Sequence, residues 1–244
     1  MTPFELCYRC LAPVLPSLYS TVRNRLCTLL GSREASPNLL DVGGRRSHYT
    51  IGVPAQVFVS DLPRLSDVQN LLHLGLTAPL IRQTVKRRSN LATVIYDDMT
   101  RSAWRTGTFD AVVAVEVLEH VDRDEDFVFE VARVLNHCGI FLMTTPNGDS
   151  VRNTNPDHKR HYTRSGLESL LARHFSHVHV EYAIRGSRFR SWGLQSWSLR
   201  APWRVARSAL GNVVNTIESS GAGVRTQSSG TRHLIAVAVK KIKD

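Results

Sequence analysis

The sequence predicts an α/β fold: a doubly wound, mostly parallel sheet with helices on both faces. Three observations carry this. Short apolar runs recur at residues 39–42, 56–60, 92–96, 111–117 and 140–144. Several of them end in a carboxylate or a glycine turn. Between them lie stretches with helical spacing of apolar residues, at 67–76, 79–86 and 124–135. Strands alternating with helices in this way build a parallel sheet, because parallel neighbours need a crossover long enough to hold a helix.

The elements follow in order. Leu11, Leu15, Leu18, Val22, Leu26 and Leu29 recur at spacings of three or four, but Pro13 and Pro16 interrupt the pattern. A short N-terminal piece and a helix over 17–30 are expected, with Gly31 as its cap. A polar linker, 32–37, leads into the first strand. In 124–135, Phe127, Val128, Val131 and Leu135 share one face, an amphipathic helix. Residues 166–174 form another, with Leu167, Leu170 and Leu171 inward. Two late β-branched runs, 178–183 and 234–239, complete the strands. Residues 186–230 break the alternation. They place Trp192, Trp197 and Trp203 among arginines, then a helical stretch through Leu210 to Ile217 and a Ser/Gly-rich loop at 219–230. Two units are expected: an N-terminal helical segment, 1–31, and a main domain, 32–244, carrying 186–230 as a cap.

The chain has 244 residues, 42% hydrophobic, enough for one large α/β domain. No apolar run reaches the roughly 18 residues of a membrane span, and the N-terminus lacks the pattern of a secretory signal. A cytoplasmic protein is expected. Cys7 and Cys10 have metal-site spacing, but no second pair follows and both lie in a helical pattern. They read as buried thiols on one helix face, and no metal is expected. The formal charge of +10 favours anionic partners, nucleic acid among them, although the arginines are dispersed.

The chemistry collects at strand ends. Asp41, Gly43 and Gly44 leave the first strand through a glycine turn, where the backbone can approach a ligand closely. The next helix N-terminus would offer N–H groups to a carboxylate. Asp61 closes the second strand, where a carboxylate can accept from ribose hydroxyls or cap a helix. Asp98 closes the third, with Asp97 as the competing choice. The fourth segment reads Phe109-Asp110, a strand, then Glu116, Glu119 and His120; Arg133 and Leu135 precede Gly139, and Pro146-Asn147 follow the fifth strand.

Over residues 38–182, and most specifically over 109–147, this sequence resembles the class I S-adenosylmethionine-dependent methyltransferases of the type 11 sort. The resemblance implies a Rossmann-like, seven-stranded sheet with an antiparallel last strand, and S-adenosyl-L-methionine as cofactor. It implies that Asp41 and Gly43, with Gly44, shape the methionine pocket. It further implies that Asp61 holds the ribose, Asp98 and Met99 the adenine, and that Val115 and Glu116 lie beside the sulfonium. The chain departs from the family at the first turn, where Arg45 and Ser47 replace glycines; Arg45 could pair with the cofactor's carboxylate. The turn at 136–139 likewise lacks a double glycine.

Methyl transfer to a hydroxyl needs alignment and a base. His158 and His161 follow the fifth strand and are the first candidates, with loop packing as the competing role; His120 is a third candidate, or orients a loop. The expected reaction is methyl transfer to a small-molecule or glycan/lipid-precursor acceptor, at oxygen. An RNA or protein methyltransferase is the alternative, weakened by Glu116-Val-Leu-Glu119 standing where amine-directed nucleic-acid enzymes carry Pro-Pro-Tyr. A non-catalytic cofactor-fold binding protein is a further one. The Trp/Arg segment, 186–218, is the candidate for peripheral membrane contact.

Overall fold

A computed structural model of the chain describes residues 1–31, 36–44, 47–64, 75–195, 197–198 and 200–240. Seven strands form one sheet: β1 (Asn38–Val42), β2 (Gln56–Asp61), β3 (Leu91–Tyr96), β4 (Phe109–Val115), β5 (Leu135–Pro146), β6 (Phe175–Arg185) and β7 (Thr231–Lys240). Their order is β3-β2-β1-β4-β5-β7-β6. The pairings among β1 to β5 are parallel, and β7 runs antiparallel to both β5 and β6. This is the doubly wound sheet with an antiparallel last strand that the sequence predicts.

Alternation along the strands divides the core. Leu40, Val42, Val112 and Ala114 face one layer, while Leu39, Ala111 and Val113 face the other. The first layer is closed by α4 (Asp124–Val134) and α5 (Arg164–Ala172), whose Phe127, Val128, Val131, Leu167 and Leu171 are buried as their spacing predicts. The second is closed by α2 (Ser17–Leu30), through Leu18, Val22, Leu26 and Leu30, and by Tyr49 and Val53. Each aliphatic side chain so buried contributes about 1.5–3 kcal/mol.

The structure corrects several expectations. Residues 47–55 form turns rather than a helix. The layer that such a crossover helix would cover is filled by α2 instead. The N-terminal piece is itself a helix, α1 (Pro3–Leu11), started by a Thr2/Glu5 capping box with Pro3 at its first turn. Cys7 and Cys10 lie on it, exposed rather than buried, because α1 turns Glu5 inward and its thiols out. The 219–230 loop contains a short helix, α8 (Ala222–Thr226). The predicted helix over 79–86 is α3 (Ala78–Arg87). Residues 65–74, which hold most of the helix expected at 67–76, lie outside the described residues, as do Arg45 and the linker at 32–35.

The 186–230 segment forms α6 (Arg188–Gly193) and α7 (Pro202–Ser219) before α8. The two longer helices approach closely: a Cβ on Gly193 would meet the Asn212 side chain, and one on Gly211 would lie 2.7 Å from the Phe189 carbonyl oxygen. Asn212 Nδ2 donates to the Val14 carbonyl at 2.8 Å, and Ser17 Oγ to Asn215 Oδ1 at 2.5 Å. The segment thus docks on the N-terminal helices. Its long helix is inside out. Ser208, Gly211, Asn212 and Asn215 are buried, while Trp203, Leu210 and Ile217 are 60, 56 and 67% exposed.

Candidate functional site

The strand order reverses direction between β1 and β4, and a ligand crevice in such sheets opens at that switch point, beyond the carboxyl ends of the strands. Gly43 follows Val42 there with φ +71. A Cβ on it would sit 2.8 Å from Val117 Cγ2, so only glycine fits between the β1 and β4 turns. Since Val42 pairs with Ser60 and with Ala114, the next residues, Gly43, Asp61 and Val115, stand in one row along the sheet edge. Asp98 lies two residues beyond Tyr96, the partner of Asp61. The carboxylates expected at ribose and adenine therefore share one edge of the sheet.

The side chains divide by what already occupies them. Asp41 is fully buried beneath the turn. It accepts from Tyr49 Oη at 3.0 Å and Thr50 Oγ1 at 2.8 Å, and Arg88 in turn donates to Thr50 Oγ1 at 2.9 Å. Burial pushes its carboxyl up to about 6, against the pull of these hydroxyls and of Arg88. A Cβ on Gly44 would strike this carboxylate at 2.4–2.7 Å. Asp41 shapes the turn from inside. Asp61 Oδ1 accepts from the Leu62 N–H at 2.8 Å. Asp98 caps a short 3₁₀ turn, Met99–Arg101, through Thr100 N at 3.0 Å and Thr100 Oγ1 at 2.8 Å, and Met99 is buried behind it. Asp97, the competing choice, is spent on Ser102 Oγ and Ala103 N. Val115 packs into the core layer lined by α2.

Glu116 has φ +56, a left-handed backbone that a non-glycine residue adopts at a cost of order 1 kcal/mol or more. The conformation turns its carboxylate back across the sheet, 2.9 Å from Thr144 Oγ1 and 3.2 Å from His233 Nδ1. Arg190 reaches His233 Nε2 at 3.2 Å, which assigns the ring proton to Nδ1, facing the carboxylate. Burial opposes ionisation of Glu116, but His233, Thr144 and nearby His158 outweigh it and hold the carboxyl below its ordinary value.

Glu119 follows one turn later, fully buried. Its Oε2 receives a long 3.3 Å bond from Thr145 Oγ1, and its Oε1 has no hydrogen-bond partner. Burial, with Glu116 adding repulsion, raises its carboxyl well above the ordinary range.

The loop after β5 arches onto this carboxylate. Gly148 permits the arch, since a Cβ would lie 2.6 Å from the Tyr162 carbonyl oxygen. Buried Asn147 ties its base to Thr231 Oγ1 of β7 at 2.9 Å. The Lys159 N–H donates to the Glu119 carbonyl at 2.7 Å, and Tyr162, buried, donates to Asp124 Oδ2 at 2.7 Å. The arch brings all three predicted histidines together. The rings of His120 and His158 are 4.7 Å apart edge to face, and His158 Nδ1 is 2.8 Å from His161 Nε2. His161 Nδ1 faces the Val151 carbonyl at 3.0 Å, and His120 Nδ1 the Asp157 carbonyl at 3.1 Å. Burial, with the flanking His120 and His161, lowers the His158 pKa and keeps its ring neutral.

Sequence reasoning missed Glu119 as a site residue, and with it His233 and Arg190. The Glu-x-x-Glu-His spacing at 116–120 was the available signal for the first. His233, a lone imidazole in a β-branched run, gave only a weak one.

Comparison with known proteins agrees with this architecture. Residues 51–143 match the model of a methyltransferase domain family, beginning just past the altered glycine turn. No curated protein sequence matches the chain. Among solved structures, an S-adenosylmethionine-dependent methyltransferase from Archaeoglobus fulgidus superposes with a TM-score of 0.57 at 14% identity, over 91% of this chain and 94% of that one. Phosphoethanolamine N-methyltransferase 2 of Haemonchus contortus, solved with S-adenosyl-L-methionine, superposes with a TM-score of 0.57 at 16% identity, over 90% of this chain. The chain spans about half of that protein, 52% of its length. The fold is that of the class I methyltransferases. Within that fold, the stretch 51–143 is similar to the methyltransferase domain family.

Proposed function

We propose that this protein transfers a methyl group from S-adenosyl-L-methionine to an oxygen of a small-molecule or glycan/lipid-precursor acceptor. The observation that carries the reading is the row formed by Gly43, Asp61 and Val115, with Asp98 two residues further, at the switch point of a methyltransferase fold. These residues fit the cofactor: a turn where a Cβ has no room, then two carboxylates along the same edge. Asp61 would hold the ribose hydroxyls, and Asp98 with the Met99 N–H the adenine. Bound cofactor supplies a methyl already activated on a sulfonium. An acceptor hydroxyl that takes this methyl would have to give up its proton to a protein group. His158 is neutral and lies in the arch against His120, suited to receive that proton, with His161 and His120 fixing its ring. Calorimetry with S-adenosylhomocysteine tests the reading: binding in the micromolar range, weakened at least tenfold in Asp61→Ala, is expected. No binding to wild type would favour a non-catalytic scaffold.

The acceptor is proposed to be reached at a membrane surface. What supports this is the inverted long helix, α7, with Trp203, Leu210 and Ile217 outward. Arg204 lies over the Trp203 ring at 5.2 Å and Arg207 over the Trp192 ring at 4.4 Å. Among the described residues no helix is long and apolar enough to cross a membrane. Co-flotation with vesicles containing anionic lipid, lost in a Trp203→Ser/Leu210→Ser double variant, is the expected result. Flotation that survives this change would remove α7 from the contact.

A further inference from the structure

We infer that Glu119, His120 and His158 form a binding site for a divalent transition-metal ion. One donor atom from each lies within 4.8 Å of the others, a spacing one ion can bridge after small side-chain adjustments. The three are graded from the buried carboxylate, through half-buried His158, to exposed His120, so the cluster opens toward solvent.

The hydrogen bonds around the rings assign their lone pairs. A carbonyl oxygen only accepts, so His161 Nδ1 donates to Val151 and its Nε2 carries a lone pair. That lone pair accepts from His158 Nδ1–H, leaving His158 Nε2 unprotonated. His120 Nδ1 likewise donates to the Asp157 carbonyl, which frees its Nε2. Metal-binding imidazoles are held in this manner, with the distal N–H on a carbonyl or a second ring.

An independent observation points to a ligand. Glu119 Oε1 is buried without a partner, although buried carboxylate oxygens are normally satisfied. The basic residues whose backbone crosses Glu119 do not supply one: Lys159 pairs with Asp122 at 3.3 Å and Arg160 with Asp124 at 2.6 Å. Two imidazoles with a carboxylate suit manganese, iron or zinc better than magnesium or calcium.

The site lies inside the candidate active site. Its catalytic use rests on the methyl-transfer reading, whereas ion binding does not. An ion there would acidify an acceptor hydroxyl and orient it, and would make His158 and His120 ligands rather than proton acceptors.

The test titrates Mn²⁺ into chelator-stripped full-length protein, following loss of the free-ion electron paramagnetic resonance signal, with calorimetry in parallel. One ion per chain with micromolar affinity is expected. Affinity should fall at least tenfold in His158→Ala and in Glu119→Gln, and should be unchanged in His177→Ala, an exposed histidine on β6. His161→Ala, which removes the group that orients His158, should weaken binding by about tenfold. Absence of binding at millimolar Mn²⁺, or equal binding by wild type, His158→Ala and Glu119→Gln, would overturn the site. S-adenosylhomocysteine affinity measured on the same samples shows that each variant is folded. It also separates failure of this site from failure of the methyl-transfer reading.

Discussion

Asp41 and Glu119 are both fully buried carboxylates at the carboxyl edge of the same sheet, and they are treated in opposite ways. Asp41 sits under the β1 turn with two hydroxyl donors at 2.8–3.0 Å and Arg88 one hydroxyl away. Glu119, under the β4 turn, has one hydroxyl at 3.3 Å and an oxygen with no partner. Burying a carboxylate is costly in either place. Around Asp41 the cost is partly offset inside the fold. Around Glu119 it is left open toward a cluster of imidazoles. The difference separates a carboxylate held by hydroxyls inside the fold from one left poorly satisfied.

The largest expected effect follows directly. Asp41→Ala strands two buried hydroxyls and the Arg88 charge, and should destabilise by about 3–5 kcal/mol in urea unfolding. Glu119→Gln removes a poorly satisfied carboxyl and should change stability by less than about 1 kcal/mol while methyl transfer falls. Equal destabilisation by the two variants would break the distinction.

The pH dependence sharpens it. The folded Asp41 carboxyl titrates near 6 against an ordinary 3.8. Its protonated form is the one that the fold favours. Stability from this group is fully present below about pH 4, is lost as pH rises toward 6, and is constant above. At about 1.4 kcal/mol per pKa unit, the loss amounts to roughly 3 kcal/mol. Melting temperatures of wild type should fall across this window relative to Asp41→Asn, whose profile should be flatter there. Parallel profiles would mean that Asp41 is ionised in the fold at ordinary acidity.

Much of this edge was legible beforehand. All seven strands announce themselves as short apolar runs, the last two of them β-branched, and Gly43, Asp61 and Asp98 fall at or just past strand endings. The histidines were legible as candidates, because two of them follow the fifth strand. Their convergence on Glu119 was not, since it depends on an arch that Asn147 ties to β7 and Lys159 ties to the Glu119 carbonyl, far away in sequence. The inward face of α7 was equally hidden. A periodic stripe from Trp203 to Ile217 marks one side of a helix, but not which side meets the protein; here Gly211, Asn212 and Asn215 take the inner place because close backbone approach and buried side-chain amides hold the docking. The missing crossover helix escaped notice because α2, earlier in the chain, fills its layer.

The smallest effects probe the comparison bond by bond. Tyr49→Phe removes one donor from Asp41 without changing the ring, and the bond lost is a 3.0 Å contact to a buried carboxylate. A loss of about 1–2 kcal/mol is expected, since hydrogen bonds to charged acceptors are worth somewhat more than neutral ones. Thr145→Val removes the donor to Glu119 while keeping the shape of the side chain. That 3.3 Å bond is near the limit of useful geometry, and Glu119 is already partly unpartnered, so the change should cost less than about 0.5 kcal/mol. A Thr145→Val variant as destabilised as Tyr49→Phe, measured in the same denaturant series, would show that Glu119 belongs to the framework after all.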